Sequence, residues 1–131
     1  MDEALLIENL TFTYLHSDEP VLKNINLSIP RNKITAIVGV VGSGKTTLLL
    51  TMNGLIPQYF PGKLDGRVVV DGIDVSTVET EQLAQTINMI FDDPDLQIVA
   101  NTVEEDVAFG PANLGLPRTE IWERVEKALA R

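Results

Sequence analysis

The stretch that most restricts what this chain can fold into is Lys33 to Leu55. It opens on an apolar run (Ile34, Ala36, Ile37, Val38), passes through Gly39, Gly42 and Gly44, and continues as Lys45-Thr46-Thr47 and a row of leucines. The β-branched run predicts a buried strand and the leucines a helix. Between them, Gly39-x4-Gly44-Lys45-Thr46 has the spacing of a phosphate-binding loop, G-x4-G-K-S/T. Glycine lets a backbone take positive φ and come close to a ligand, because no Cβ intervenes. The amides of Val41 to Thr46 can then converge on phosphate oxygens, and the following helix adds partial positive charge at its N-terminus. In such a loop Lys45 supplies an ammonium to the β- and γ-phosphates, and Thr46 a hydroxyl to Mg²⁺. A strand before and a helix after are the context that separates this pattern from a chance match.

Composition narrows the classes around that loop. The 131 residues suit one domain with a core of useful size. The formal net charge of −9 argues against a nucleic-acid surface, which needs basic patches. A phosphate ligand must therefore be gripped by local amides and Lys45, not by the overall field. There are no cysteines, which excludes disulfides and thiolate metal sites. No apolar run approaches the roughly 18 residues of a membrane span, and no signal-peptide pattern opens the chain.

Before the loop, Leu5 to Tyr14 reads as extended, with Leu10, Phe12 and Tyr14 alternating with Thr11 and Thr13. Ile25, Leu27 and Ile29 alternate in the same way, and Pro30-Arg31-Asn32 turns the chain into the next segment, so an antiparallel arrangement is expected. His16, the single histidine, sits in a polar loop without a metal or nucleophile partner and reads as a solvated residue. Tyr14 reads first as an edge-of-core aromatic; its ring could also stack on a purine.

After the loop, Gly54 is a natural C′ residue for the helix from Lys45, with Pro57 three beyond. Gly66 to Val70 runs into Asp71-Gly72 and Ile73 to Val75, the pattern of a tight hairpin. Glu79 to Gln85 is helical in composition, and Thr86 to Phe91 reads as a strand. The acid cluster Asp92-Asp93-Pro94-Asp95 reads as a solvated turn or, following a strand, as a place for metal ligands. Near the end, Ile121, Trp122, Val125, Ala128 and Leu129 form a helical stripe with Glu120–Arg124 and Glu123–Lys127 at i, i+4, and the helix is expected to end at Arg131.

Taken together, the segments L-T-F-T-Y (10–14), V-G-V-V-G-S-G-K-T-T (38–47), G-x-V-x-V-D-G-x-D-V (66–75) and F-D-D-P-D-L-Q-I-V-A-N-T-V-E-E-D-V-A-F-G-P-A-N-L-G-L (91–116) resemble the N-terminal half of an ABC-type ATPase. More narrowly, they are similar to the ATP-binding subunits of energy-coupling-factor importers, the cobalt/nickel and vitamin uptake class. The resemblance covers nearly the whole chain. It implies an α/β P-loop NTPase fold, truncated: an antiparallel β-subdomain and part of a parallel-sheet core over 1–96, and the start of a helical subdomain over 97–131.

The resemblance also implies roles. Tyr14 matches the aromatic that stacks on adenine. Gly39, Val40, Val41, Gly42, Ser43, Gly44, Lys45, Thr46 and Thr47 match the nucleotide loop for ATP and Mg²⁺, with Thr47 near the α-phosphate. Phe91 to Gln97 matches the hinge that senses the γ-phosphate, and residues 91–116 face an integral membrane subunit. The expected setting is peripheral, on the cytoplasmic face of a cell membrane, with a second ATPase subunit as partner.

Two departures stand out. Asp92 occupies the hinge position where the family carries glutamine; its anionic carboxylate would repel a bare γ-phosphate yet could help hold a metal with Thr46. The signature motif, the second strand ending in Asp-Glu and the switch histidine of the family have no counterpart in this sequence. The expectation is a chain that binds Mg-ATP weakly and alone hydrolyses it negligibly, with apolar sheet edges left open to association. The alternative is a non-enzymatic nucleotide-binding or interaction module. A guanine-nucleotide enzyme fits poorly, because Gly62-Lys63-Leu64-Asp65, the nearest base-reading pattern, has the wrong first residue and lies too close to the loop.

Overall fold

Strand β1, Glu3–Tyr14, is paired on both sides and carries the core of the sheet. The computed structural model describes residues 3–130, which fall into two compact units, one running to Met89 and the other starting at Ile90. In the first unit the order is β2 (Leu22–Pro30), β1, β3 (Gly62–Val70) and β4 (Ile73–Asp74), every pair antiparallel. Leu5 and Ile7 face the core, and so do Leu10 and Phe12, although the two pairs differ in parity. The extra residue is Asn9, at φ 51, where the register shifts against both neighbours. This bulge returns the apolar side chains to one face. Its amide is met by Asn26 Oδ1 at 2.9 Å, and Gly66 opposite, at φ 97, makes room: a Cβ there would lie 2.5 Å from the Asn9 carbonyl oxygen.

The Asp71-Gly72 hairpin forms as expected, with both residues at positive φ (51 and 80). Arg67 on β3 ties it down, bonding Asp74 Oδ2 at 2.7 Å and reaching Glu8 on β1. Arg31, in the turn after β2, pairs with Asp71. Against the sheet lies helix α1, Lys45–Met52, burying Leu48, Leu50 and Met52 beside Phe12, Val68 and Val70. Gly54, at φ 77, follows α1 as expected; a short turn α2 (Leu55–Gln58) and helix α3 (Thr80–Leu83), shorter than the segment read from sequence, complete the unit.

The two remaining expected strands do not form. Residues 33–40 and 87–91 enter no ladder, and the sheet is wholly antiparallel among the described residues. A strand needs a hydrogen-bonded neighbour. No such neighbour for either segment lies among the described residues. Ile37, Ile87 and Met89 pack on the core, whereas Ile34 and Val38 are almost fully exposed.

The second unit is a helical pair, α4 (Val103–Asn113) and α5 (Arg118–Leu129). The stripe read from sequence lies on α5, where Val125 is buried, Trp122 is exposed, and Glu120 accepts from Arg124 at 2.7 Å. The helix expected to run to Arg131 ends at Leu129, where Ala130 caps it with its amide on the Glu126 carbonyl at 3.0 Å. Helix α4 begins where Thr102 Oγ1 accepts from the Glu105 amide, a cap whose T-x-x-E spacing is visible in the sequence. None of the described helices is long and apolar enough to cross a membrane.

Candidate functional site

The site is a loop held between the unpaired segment 33–40 and helix α1. Gly42 and Gly44 adopt φ of 81 and 90, so both use the left-handed region that favours glycine. The Ser43 amide donates to the Val40 carbonyl at 3.2 Å, which curls the loop, and α1 starts where the Leu48 amide bonds the Gly44 carbonyl at 2.8 Å. Gly44 is the N-cap, and no side chain caps the first turn. A helix start without a side-chain cap presents backbone N–H groups to whatever lies in front of it. Packing explains Gly44 as well as conformation, since a Cβ would press on the Val21 carbonyl oxygen and the Leu22 side chain at 3.2 Å. At Gly39 a Cβ would lie 2.8 Å from Ser43 Oγ.

Lys45 folds back over the loop it follows. Its Nζ donates to the Gly39 carbonyl at 2.9 Å and to the Val40 carbonyl at 2.8 Å. The ammonium therefore stands at the mouth of the loop, held by two neutral backbone carbonyls. Such bonds exchange readily for charge-assisted bonds to an anion. Thr46 exposes its hydroxyl-bearing side chain, while Thr47 is buried at 7% exposure. Val40 and Val41 are open to solvent.

Tyr14, at the end of β1, joins this group directly. Its hydroxyl lies 3.0 Å from Thr47 Oγ1, and its ring meets Phe12 edge-on, centroids 4.8 Å apart. The structure thus brings Tyr14, the loop 39–44, Lys45 and Thr47 together. Sequence reading placed Tyr14 and Thr47 at the same ligand but had no signal for a bond between residues 33 positions apart.

Asp92 lies in the second unit, exposed, in the loop before the turn Pro94–Gln97. That loop is closed by the Gln97 side chain, whose Oε1 accepts from the Phe91 amide at 3.1 Å. The next turn is organised by Asp106, whose Oδ1 accepts from the amides of Val99 (2.8 Å) and Ala100 (3.1 Å). No cluster of three or more His, Cys, Asp or Glu able to hold a metal exists among the described residues.

Comparison with known proteins bears on both units. Residues 22–131 match the family model described as ABC transporter. The energy-coupling factor transporter ATP-binding protein EcfA of Syntrophomonas wolfei is 45% identical over 124 residues, which are 94% of this chain and 44% of that protein. A Methanosarcina mazei relative, named among ABC transporter ATP-binding proteins, is 41% identical over 98% of this chain and 22% of its own length. Among solved structures, cbiO1 of Clostridium perfringens, part of the ABC transporter complex cbiONQ, has a TM-score of 0.82 at 35% identity, covering 99% of this chain and 50% of that one. The ATP-binding cassette MJ0796, solved as a dimer with ADP and Pi, has a TM-score of 0.71 over 96% of this chain and 56% of that one; at 24% identity the likeness is one of fold. The chain spans less than half the length of the Syntrophomonas wolfei and Methanosarcina mazei relatives.

Proposed function

The chain belongs to the ABC transporter family and has the P-loop NTPase fold of its ATP-binding domains, and we propose on that premise that residues 39–47 hold the phosphates of Mg-ATP. The observation that carries this reading is Lys45 Nζ, poised 2.9 and 2.8 Å from the Gly39 and Val40 carbonyls in front of an uncapped helix start. On binding, the ammonium leaves these carbonyls for the β- and γ-phosphates, and the loop amides close on the remaining oxygens. The Thr46 hydroxyl is one protein ligand to Mg²⁺, which would neutralise phosphate charge. The Tyr14 ring, braced by Phe12, offers a face to adenine.

In the same reading, residues 1–96 are the nucleotide-binding core and 97–131 the start of a helical subdomain. Residues 91–116 are the surface for an integral membrane subunit, and a second ATPase subunit completes the site. The role is ATP-driven uptake of a metal ion or vitamin, exerted from the cytoplasmic face of the membrane. Asp92 serves as hinge residue and cation ligand; its carboxylate in place of glutamine also supports a binding module without catalysis. The names of EcfA and of cbiO1 support the importer reading by similarity.

Calorimetry with Mg-ATP tests the core of the proposal. Wild type should bind with a Kd of about 10–100 μM, and Lys45→Ala should weaken it at least about tenfold, the loss of one charge-assisted contact. Equal affinity of the two proteins would reject the reading. Steady-state turnover of the chain alone should stay well below ~1 s⁻¹, the low end of ordinary enzymes.

A further inference from the structure

We propose that Tyr14 is a positioning residue for the phosphate end of the site, acting through its hydroxyl on Thr47 as well as through its ring on a base. The inference rests on the nucleotide reading above and concerns a contact that the reading does not use. Tyr14 is anchored on three sides. Its backbone pairs with Gly62 of β3, its carbonyl accepts from the Ser17 amide at 3.0 Å, and its ring stands edge-on to the fully buried Phe12. Gly62 permits this approach, because a Cβ there would lie 2.3 Å from the Thr13 carbonyl oxygen and 2.6 Å from the Phe12 ring. The Tyr14 hydroxyl is thereby delivered to Thr47 Oγ1, 3.0 Å away in the first turn of α1.

Hydroxyl chemistry gives the contact a direction once an anion arrives. A threonine hydroxyl has one proton and two lone pairs, and phosphate oxygens only accept. When Thr47 gives its proton to phosphate, a lone pair remains for the Tyr14 proton. The two hydroxyls then form a chain that ends on the ligand, each bond strengthening the other. Without the Tyr14 hydroxyl, the buried Thr47 loses this acceptor-side partner, and its proton is drawn to a carbonyl of its own helix instead. One residue thus sets the grip on phosphate independently of which base is attached.

The test titrates the 131-residue chain with Mg-ATP, Mg-GTP and Mg-tripolyphosphate by calorimetry, with stoichiometry reporting the competent fraction. Tyr14→Phe keeps the ring and its packing. It should weaken all three ligands by a similar factor of about five, the effect of one hydrogen bond. In a Thr47→Val background the same change should have no further effect, whereas in Thr47→Ser, which keeps the hydroxyl, the fivefold loss should persist. The proposal is overturned if Tyr14→Phe leaves tripolyphosphate binding unchanged, or if its loss is undiminished in Thr47→Val. Absence of Lys45-dependent binding in wild type would instead overturn the nucleotide reading, and this inference with it.

Discussion

Two segments of this chain carry similar side chains and meet opposite fates. In β1, Leu5, Ile7, Leu10 and Phe12 are each 5% exposed or less. In the segment leading into the loop and in the loop itself, Ile34, Val38 and Val41 are 104%, 88% and 100% exposed. Hydrophobicity and β-branching do not separate them; neighbours do. β1 has a hydrogen-bonded strand on each side, and its side chains close over α1. The 33–40 segment has no ladder on either side. An apolar run becomes a strand only where other chain segments satisfy its backbone, so the same residue types are core in one place and open surface in the other.

The sharpest way to break that comparison is to cut into the buried member. Phe12→Ala, at a site with no exposure, should cost about 3–5 kcal/mol in urea unfolding. A loss under ~1 kcal/mol would mean that β1 is not the core of the sheet. Next in size is Gly66→Ala, which forces a side chain onto the Asn9 bulge at φ 97 and should cost about 2–3 kcal/mol; an unchanged midpoint would show that the bulge is not needed to keep Leu5–Ile7 and Leu10–Phe12 on one face.

A smaller effect is expected at the hairpin. The hydroxyl of Ser76 and then the guanidinium of Arg67 hold the Asp74 carboxyl below its ordinary range. Its stabilising contribution is present above the unfolded carboxylate value of about 4 and fades as pH falls through the lower folded value. Asp74→Asn should therefore flatten the acid limb of stability below about pH 4, by under ~1 kcal/mol, as followed by circular dichroism. A steeper acid limb in the variant would reverse the sign. The smallest change belongs to the exposed member of the comparison: Ile34→Thr and Val41→Thr should shift stability by less than about 0.5 kcal/mol while reducing self-association in light scattering. Losses near those of Phe12→Ala would show that this segment is buried in solution.

Much of the site was readable in advance because its rules are local. The spacing from Gly39 to Thr46 called for a curled loop opening a helix, and Gly42, Gly44 and Lys45 do this. Asp71-Gly72 announced its hairpin, and the α5 stripe its buried Val125. The T-x-x-E cap of α4 is equally local, spanning Thr102 to Glu105. Hidden from sequence was the bulge at Asn9, because alternation counted from Leu10 conceals that Leu5 and Ile7 are out of phase with it. Hidden too was the contact of Tyr14 with Thr47, which depends on how β1 and α1 pack.

The amino-acid order alone set the conformation of the loop, since glycine φ freedom and the reach of one lysine act over a few residues. The fold decided which apolar segments became strands and which hydroxyl Tyr14 would meet. Those outcomes depend on partners far away in sequence, and a backbone hydrogen bond or a buried side chain exists only when both of its halves arrive at one place.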